Sequence, residues 1–363
     1  MRISRISKKG FAMQFNWLFV LIAGVVILGF FFSLITERTA KQDEEEKTKS
    51  TQELEDLLRV SSAADQTQKT VLFDQKITFQ SSYDADTDTS YSAYSVEGSP
   101  YNARYDYQAL FSPPVLDGQR LLILNKDVNT GFRIISLTYI TNQDVEYVFL
   151  INDLEAQSLL SLIYNSMPGN TTKNIISGSI TGYPDKNYDK TIFVMQETDK
   201  GTSDVLGRLL NFNTGFNTDK AAALIISSGD SLTQGEIRFY EYDALQEQFE
   251  YQGKSVFLDL PTVLGAVISG NNKIYECNLK KVFVRTSLLS RLYQERMSMY
   301  AKQVPDTCKE YYEEAKECMK KLEGIQEKPT DNIVNFKSAL IAINNLKSLN
   351  NYLMTKTECP LIY

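Results

Sequence analysis

The stretch FNWLFVLIAGVVILGFFFSLI, from Phe15 to Ile35, decides how the rest of the chain is arranged. It contains no charged residue, and about 20 mostly apolar residues are enough for an α-helix to cross a bilayer. Everything after Ile35 is therefore expected to lie on one side of a membrane. The sequence predicts a single transmembrane helix over residues 15–35, followed by a large folded part.

The charges that flank this stretch predict its orientation. The preceding segment holds only basic residues, namely Arg2, Arg5, Lys8 and Lys9, whereas the following segment soon becomes acidic. Cytoplasmic flanks carry the excess of Lys and Arg in membrane proteins. Residues 1–14 are thus predicted to be cytoplasmic, and the C-terminal domains to be extracytoplasmic in a single-pass protein of the cell membrane.

A cleaved secretory signal is one alternative to this signal anchor. Its apolar core would have about 7–15 residues and would end at a small-x-small site, which is missing here. Asn16 and Trp17 also suit the membrane interface at the start of a spanning helix. An uncleaved anchor is therefore favoured.

Ser7-Lys8-Lys9-Gly10 resembles the pilin-type signals of archaeal surface filaments, which are cut after the small residue. The resemblance implies processing after Gly10 and a filament or secretion subunit. Helix-favouring sequence without Gly or Pro continues beyond the membrane, so a continuous helix of about 50 residues fits this alternative. A solvated helical stalk over residues 36–66 is favoured, because its charges fall on all faces.

The opening K-K-G-x-x-x-x-F-N-W, from Lys8 to Trp17, also resembles that of uncharacterised single-pass proteins of small-genome archaea. This second resemblance implies a membrane location and no particular activity.

The amino-acid composition argues against several classes of function. The chain has 363 residues, of which 43% are hydrophobic, so it is long enough for a core and for two domains. Its net charge is −7 with scattered positive charges, which argues against nucleic-acid binding. It has no histidine, which removes Ser-His-Asp and Cys-His nucleophiles and His-ligated zinc sites. A non-enzymatic protein without a cofactor is therefore expected.

Residues 67–270 are predicted to form an α/β domain with a mixed sheet. Runs of β-branched and aromatic residues predict strands, and helical periods lie between several of them. The predicted strands include 71–80, 120–125, 132–140, 145–152, 190–196 and 221–228. The first strands read as a meander and the later ones alternate with helices, which favours a partly parallel sheet.

Three patterns in this domain carry candidate sites. Asp84, Asp86 and Asp88 have the spacing that begins many calcium loops, but the Gly and Glu that complete such a loop are absent, so an acidic surface loop is favoured. Asn170 begins the glycosylation acceptor pattern Asn-Thr-Thr.

The stretch ISSGDSLTQG, residues 226–235, resembles the first block of the GDSL (SGNH) hydrolases, which would make Ser231 a nucleophile. That family needs a downstream histidine, so a Gly-rich turn after a buried strand is favoured.

Residues 271–363 are predicted to form a three-helix unit that contains all four cysteines, which are Cys277, Cys308, Cys318 and Cys359. An oxidising exterior favours two disulfides over a zinc site, because no C-x-x-C is present. Antiparallel helices place the cysteines so that Cys277 pairs with Cys318 and Cys308 pairs with Cys359.

The sequence thus predicts a membrane-anchored extracytoplasmic protein of the cell envelope, with a binding or structural role and a protein partner. A pilin-like subunit is the first alternative, and a cell-surface hydrolase is the second.

Overall fold

The structure, a computed structural model, describes residues 8–61, 67–83, 92–96, 99–101, 103–105, 108–129, 132–151, 154–177, 183, 186–197, 220–228, 235–326, 333–356 and 358–363. The calcium candidates Asp84, Asp86 and Asp88 lie outside the described residues, as does Ser231.

The N-terminal helix α1 runs without interruption through Lys8–Ser61, a length of 54 residues. Within the described residues it is the one helix long and apolar enough to cross a membrane, and its apolar window is not buried in the protein. Its far end is different, because Leu54 and Leu58 are completely buried. The helix therefore has a bare apolar part and a part that packs on the folded body.

The first sheet is mainly antiparallel and has the strand order β3-β2-β1-β5-β6-β4. Its strands are β1 (Gln68–Tyr83), β2 (Ser92–Val96), β3 (Ala103–Tyr105), β4 (Ala109–Phe111), β5 (Val115–Asn129) and β6 (Arg133–Thr141). The short strand β4 is parallel to β6, whereas β1, β5 and β6 form the antiparallel centre. The buried end of α1 contacts β2 and β3 at one edge of this sheet.

The second sheet is mixed and has the order β12-β11-β10-β9-β7-β8. Its strands are β7 (Val145–Ile151), β8 (Thr172–Ser177), β9 (Lys190–Glu197), β10 (Ala221–Ser228), β11 (Gly235–Asp243) and β12 (Gln248–Phe257). Strands β7, β8, β9 and β10 are mutually parallel, and β11 and β12 extend the sheet as an antiparallel hairpin. Helix α2 (Leu154–Ser166) connects β7 to β8. A mixed α/β architecture is confirmed, with the strands divided between two sheets.

C-terminal helices follow the second sheet. They are α3 (Leu260–Ser269), α4 (Asn272–Gln303), α5 (Asp306–Glu323) and α6 (Ile333–Met354). A capping box between Asp259 and Thr262 starts α3, and Gly270 ends it with a positive φ of 56°. Asn271 then accepts a hydrogen bond from the backbone N–H of Ile274 and starts α4.

Helix α4 joins the C-terminal helices to both sheets. The side chain of Asn278 accepts from the backbone N–H of Leu110 (2.9 Å) and donates to the Leu110 carbonyl (2.7 Å) in β4. The hydroxyl of Tyr275 donates to the Val256 carbonyl in β12 at 2.8 Å. One hydrophobic cluster accordingly extends from Leu54 in α1 to Leu353 in α6.

The structure contains one of the two expected disulfides. Cys308 and Cys359 are bonded, with their Cα atoms 5.8 Å apart. Cys277 and Cys318 are instead buried thiols, so the prediction that they pair is wrong.

Helix length explains this error. Helices α4 and α5 contain 32 and 18 residues, and the Ser287 hydroxyl donates to the carbonyl of Glu323, the last residue of α5. Cys277 thus lies about ten residues, or about 15 Å, beyond the level at which α5 ends. Cys318 lies further back along α5, and disulfide Cα atoms must approach to within about 7 Å.

Candidate functional site

The second sheet has the strand arrangement in which α/β proteins bind ligands. The chain leaves β7 toward β8 on one side and leaves β9 toward β10 on the other, so the connections diverge between β7 and β9. Ligands in open α/β sheets bind outside the carboxyl ends of the strands at such a point. The carboxyl ends of β7, β9 and β10 are therefore the first candidate site.

Three polar side chains meet at this edge. Glu197 ends β9, Ser227 lies beside it on β10, and Arg238 reaches them from β11. Oε2 of Glu197 accepts from both the Ser227 hydroxyl and Nη2 of Arg238, and this Nη2 lies 3.3 Å from Oγ of Ser227. Burial lowers the pKa of Arg238, but the hydrogen bond to Glu197 and its charge outweigh this and leave the pKa raised. The group is a closed ion pair with a hydroxyl attached.

This edge cluster is suited to stabilising the sheet or to binding, rather than to catalysis. Ser227 donates to a carboxylate that already neutralises a guanidinium, and the chain has no histidine to take up its proton. Nε of Arg238 is buried without an acceptor among the described residues. The cluster thus retains one hydrogen-bond donor, and the carboxylate that accepts from Ser227 is already paired with Arg238.

The hydrolase-like stretch follows β10. The strand before it is present as predicted, and its residues 221–226 are buried. Ser228 pairs with Gly235, the pair of the β10–β11 hairpin that is nearest to the connection, so residues 229–234 connect two antiparallel strands. A Cβ on Gly235 would lie 2.0 Å from the Ser227 carbonyl oxygen. Residues 229–234, on which the predicted Gly-rich turn falls, lie outside the described residues.

A second polar cluster surrounds Glu146, near the start of β7. The Glu146 side chain is fully buried, and its Oε1 accepts from Asn174 (2.5 Å), Tyr183 (2.8 Å) and Lys186 (2.9 Å). Although desolvation opposes it, hydrogen bonds to Tyr183 and Glu146 raise the pKa of Lys186 to about 12. A buried carboxylate is tolerated only with such partners, so this cluster is best explained as structural.

The glycosylation candidate Asn170 lies in an exposed turn between α2 and β8. The N–H and the hydroxyl of Thr171 both donate to the Pro168 carbonyl, which fixes the turn. An exposed turn is a suitable location for a glycan, and glycosylation of Asn170 stays a prediction.

The most extensive unusual surface is the apolar part of α1. Phe19 and Phe32 are 72% and 70% exposed, and their large apolar neighbours are similarly bare. The other part of the helix is fixed to the body, because the Tyr101 hydroxyl donates to Oε2 of Glu55 at 2.5 Å and Leu54 and Leu58 enter the core.

Sequence reasoning missed both polar clusters. Glu146, Glu197 and Arg238 each lie in or next to an apolar run, where a charged residue needs a partner. A charged residue in an apolar run can be recognised from the sequence. The strand order that brings these residues together cannot be recognised from the local sequence pattern.

No family model matches this chain, and the searches of curated proteins and of solved structures found no significant match to it.

Proposed function

We propose that this chain is a membrane-anchored protein of the cell envelope. Its folded part would lie on the extracytoplasmic side, where it binds a protein partner or has a structural role. The observation that carries the proposal is the division of α1 into a bare apolar part and a docked part. Soluble proteins rarely expose a continuous apolar surface of this size, whereas lipid covers it.

The dimensions of α1 support an anchor with a spacer. Residues 15–35 span about 31 Å as a helix, which matches the hydrocarbon core of about 30 Å. The next residues are solvated. Their side chains form ion pairs across one helical turn, Lys41 with Glu37 (2.9 Å) and Lys47 with Asp43 (2.9 Å). Thr51 is the first fully buried residue beyond them. The spacer would therefore hold the folded part about 20 Å above the membrane.

Two further observations support the extracytoplasmic side. The basic N-terminal flank favours a cytoplasmic N-terminus. The Cys308–Cys359 disulfide suits an oxidising compartment. A binding or structural role is supported by the two polar clusters, in which the charged groups neutralise one another.

The topology is tested by labelling single engineered cysteines in intact cells with a membrane-impermeant maleimide. Lys41→Cys and Arg5→Cys lie on opposite sides of the apolar stretch and serve as controls for each other. Native thiols give little background, because Cys277 and Cys318 are buried. We expect Lys41→Cys to be labelled in intact cells and Arg5→Cys only after permeabilisation, with the protein resisting carbonate extraction. The reverse labelling, or a carbonate-soluble protein, would refute the proposal.

A pilin-like filament subunit is the second candidate. It is favoured by the continuity of α1, in which 54 residues form one helix that is bare at one end and docked on a sheet at the other. In a filament, neighbouring α1 helices would cover the bare part. Mass spectrometry of the mature protein separates the two candidates. An N-terminus at Phe11 favours the filament subunit, and an N-terminus that retains residues 1–10 favours the anchor.

A further inference from the structure

Helix α4 has an outer face with an unusual pattern. Its inner face is buried and includes Thr286, Ser287, Ser290 and Met297. Its exposed positions include Arg285, Leu288, Leu292, Glu295 and Met299, which are separated by three and four residues in turn, and Val284 and Arg291 on the flanks are exposed as well. This alternation is the a/d pattern of a coiled coil.

The apolar members of this outer face are well exposed. Leu288, Leu292 and Met299 are 49%, 59% and 57% exposed, and Val284 on the flank is 37% exposed. The outer face of a helix that meets only water is normally polar. Apolar residues at a and d positions instead suit a second helix that packs along α4.

The order of residues on this face is self-complementary when a second copy of α4 runs antiparallel. With Ser290 at the centre, Leu288 of one copy lies opposite Leu292 of the other. Arg285 then lies opposite Glu295, and both contacts occur twice because of the twofold symmetry. A parallel alignment would place Arg285 against Arg285 and Glu295 against Glu295, which is repulsive.

The charges of these residues are available for such pairing. Neither Arg285 nor Glu295 forms an ion pair within the described part of the chain. Arg291, on the flank, is already paired with Glu323 at 2.6 Å. Lys281, which stands at the level of Met299 in this alignment, is buried and donates to the Gln108 carbonyl at 3.2 Å, so the proposed contact does not extend to it.

We propose that the outer face of α4 is the interface of an antiparallel homodimer. Two Leu288–Leu292 layers form its centre, and two Arg285–Glu295 ion pairs fix its direction. The occupant is a second copy because the apolar residues and the opposite charges of this face match each other in the antiparallel alignment. This proposal holds for either function proposed above.

The first test measures the mass of the full-length protein in detergent micelles by light scattering. We expect a dimer for the wild type and at least a tenfold weaker dimer for Arg285→Glu, which places Glu against Glu. The double variant Arg285→Glu/Glu295→Arg should restore the dimer, and Lys321→Glu on the exposed side of α5 should leave it unchanged. A monomeric wild type, or a double variant as weak as the single one, would overturn the proposal.

The second test measures direction by cysteine cross-linking of two differently tagged full-length copies, one with Arg285→Cys and one with Glu295→Cys. In the antiparallel dimer these two cysteines face each other, and one native Arg285–Glu295 pair remains. Two copies of the same variant hold their cysteines about 15 Å apart along the helix. We expect cross-linking in the mixture and little with either variant alone. Equal cross-linking in all three samples, or none, would contradict the antiparallel interface.

Discussion

The apolar part of α1 and the outer face of α4 both expose large hydrophobic side chains, but in different patterns. In α1 apolar residues cover the whole circumference over residues 15–35, and no charge interrupts them. In α4 they form a narrow stripe in which Arg285 and Glu295 are interspersed. A helix that is apolar all round suits lipid, whereas a stripe with matched charges suits another helix. The exposure of apolar side chains therefore does not by itself identify the partner of a helix. The arrangement of charges among those side chains does.

Charges introduced into the apolar part of α1 should have the largest effect of these changes, which is a loss of membrane association. In Val25→Lys/Leu28→Lys each lysine adds about 2.5–3.5 kcal/mol to the free energy of insertion near the helix centre. We expect this variant to leave the membrane fraction, as measured by carbonate extraction and flotation.

The matched control is Val60→Lys/Leu72→Lys, at positions that are 63% and 68% exposed but lie outside the apolar stretch. It should stay in the membrane fraction. We also expect Leu288→Lys/Leu292→Lys in α4 to stay in the membrane fraction but to lose the dimer. Release of that α4 variant from the membrane would mean that both surfaces meet lipid.

Removal of the Cys308–Cys359 disulfide should have the next largest effect. The bridge closes a loop with a sequence separation of 51 residues, so Cys308→Ser/Cys359→Ser should lower the free energy of unfolding by about 4 kcal/mol. Urea denaturation in detergent measures this change. Treatment of the wild type with a reductant should reproduce it, and an unchanged midpoint would show that the bridge does not constrain the chain.

Local patterns predicted elements better than they predicted contacts. The prediction of strand β10 at residues 221–228 is confirmed, because a fully apolar run is typical of a strand that is buried on both faces. The pairing of Cys277 with Cys318 failed because it depends on where α4 starts and how far α5 extends along it. The cluster of Glu197 with Ser227 and Arg238 depends on strand order, which long-range pairing decides.

The two faces of α4 should differ clearly in what they contribute to stability, although the expected change is smaller than for the disulfide. Asn278→Leu removes hydrogen bonds that the Asn278 side chain makes to the backbone of Leu110 and Ile274. The N–H and carbonyl of Leu110 then stay buried without that partner, at about 1–3 kcal/mol each. We expect the free energy of unfolding to fall by about 3 kcal/mol in urea denaturation, at a concentration where the protein is monomeric.

On the outer face, Leu288→Ala/Leu292→Ala should change the same quantity by less than about 0.5 kcal/mol, because exposed side chains contribute little within one chain. The dimer, however, should be lost. Such a result would assign the inner face to folding and the outer face to association. If the outer-face variant lost as much stability as Asn278→Leu, the leucines would have to be buried within the single chain, and the stripe would resemble the core rather than an interface.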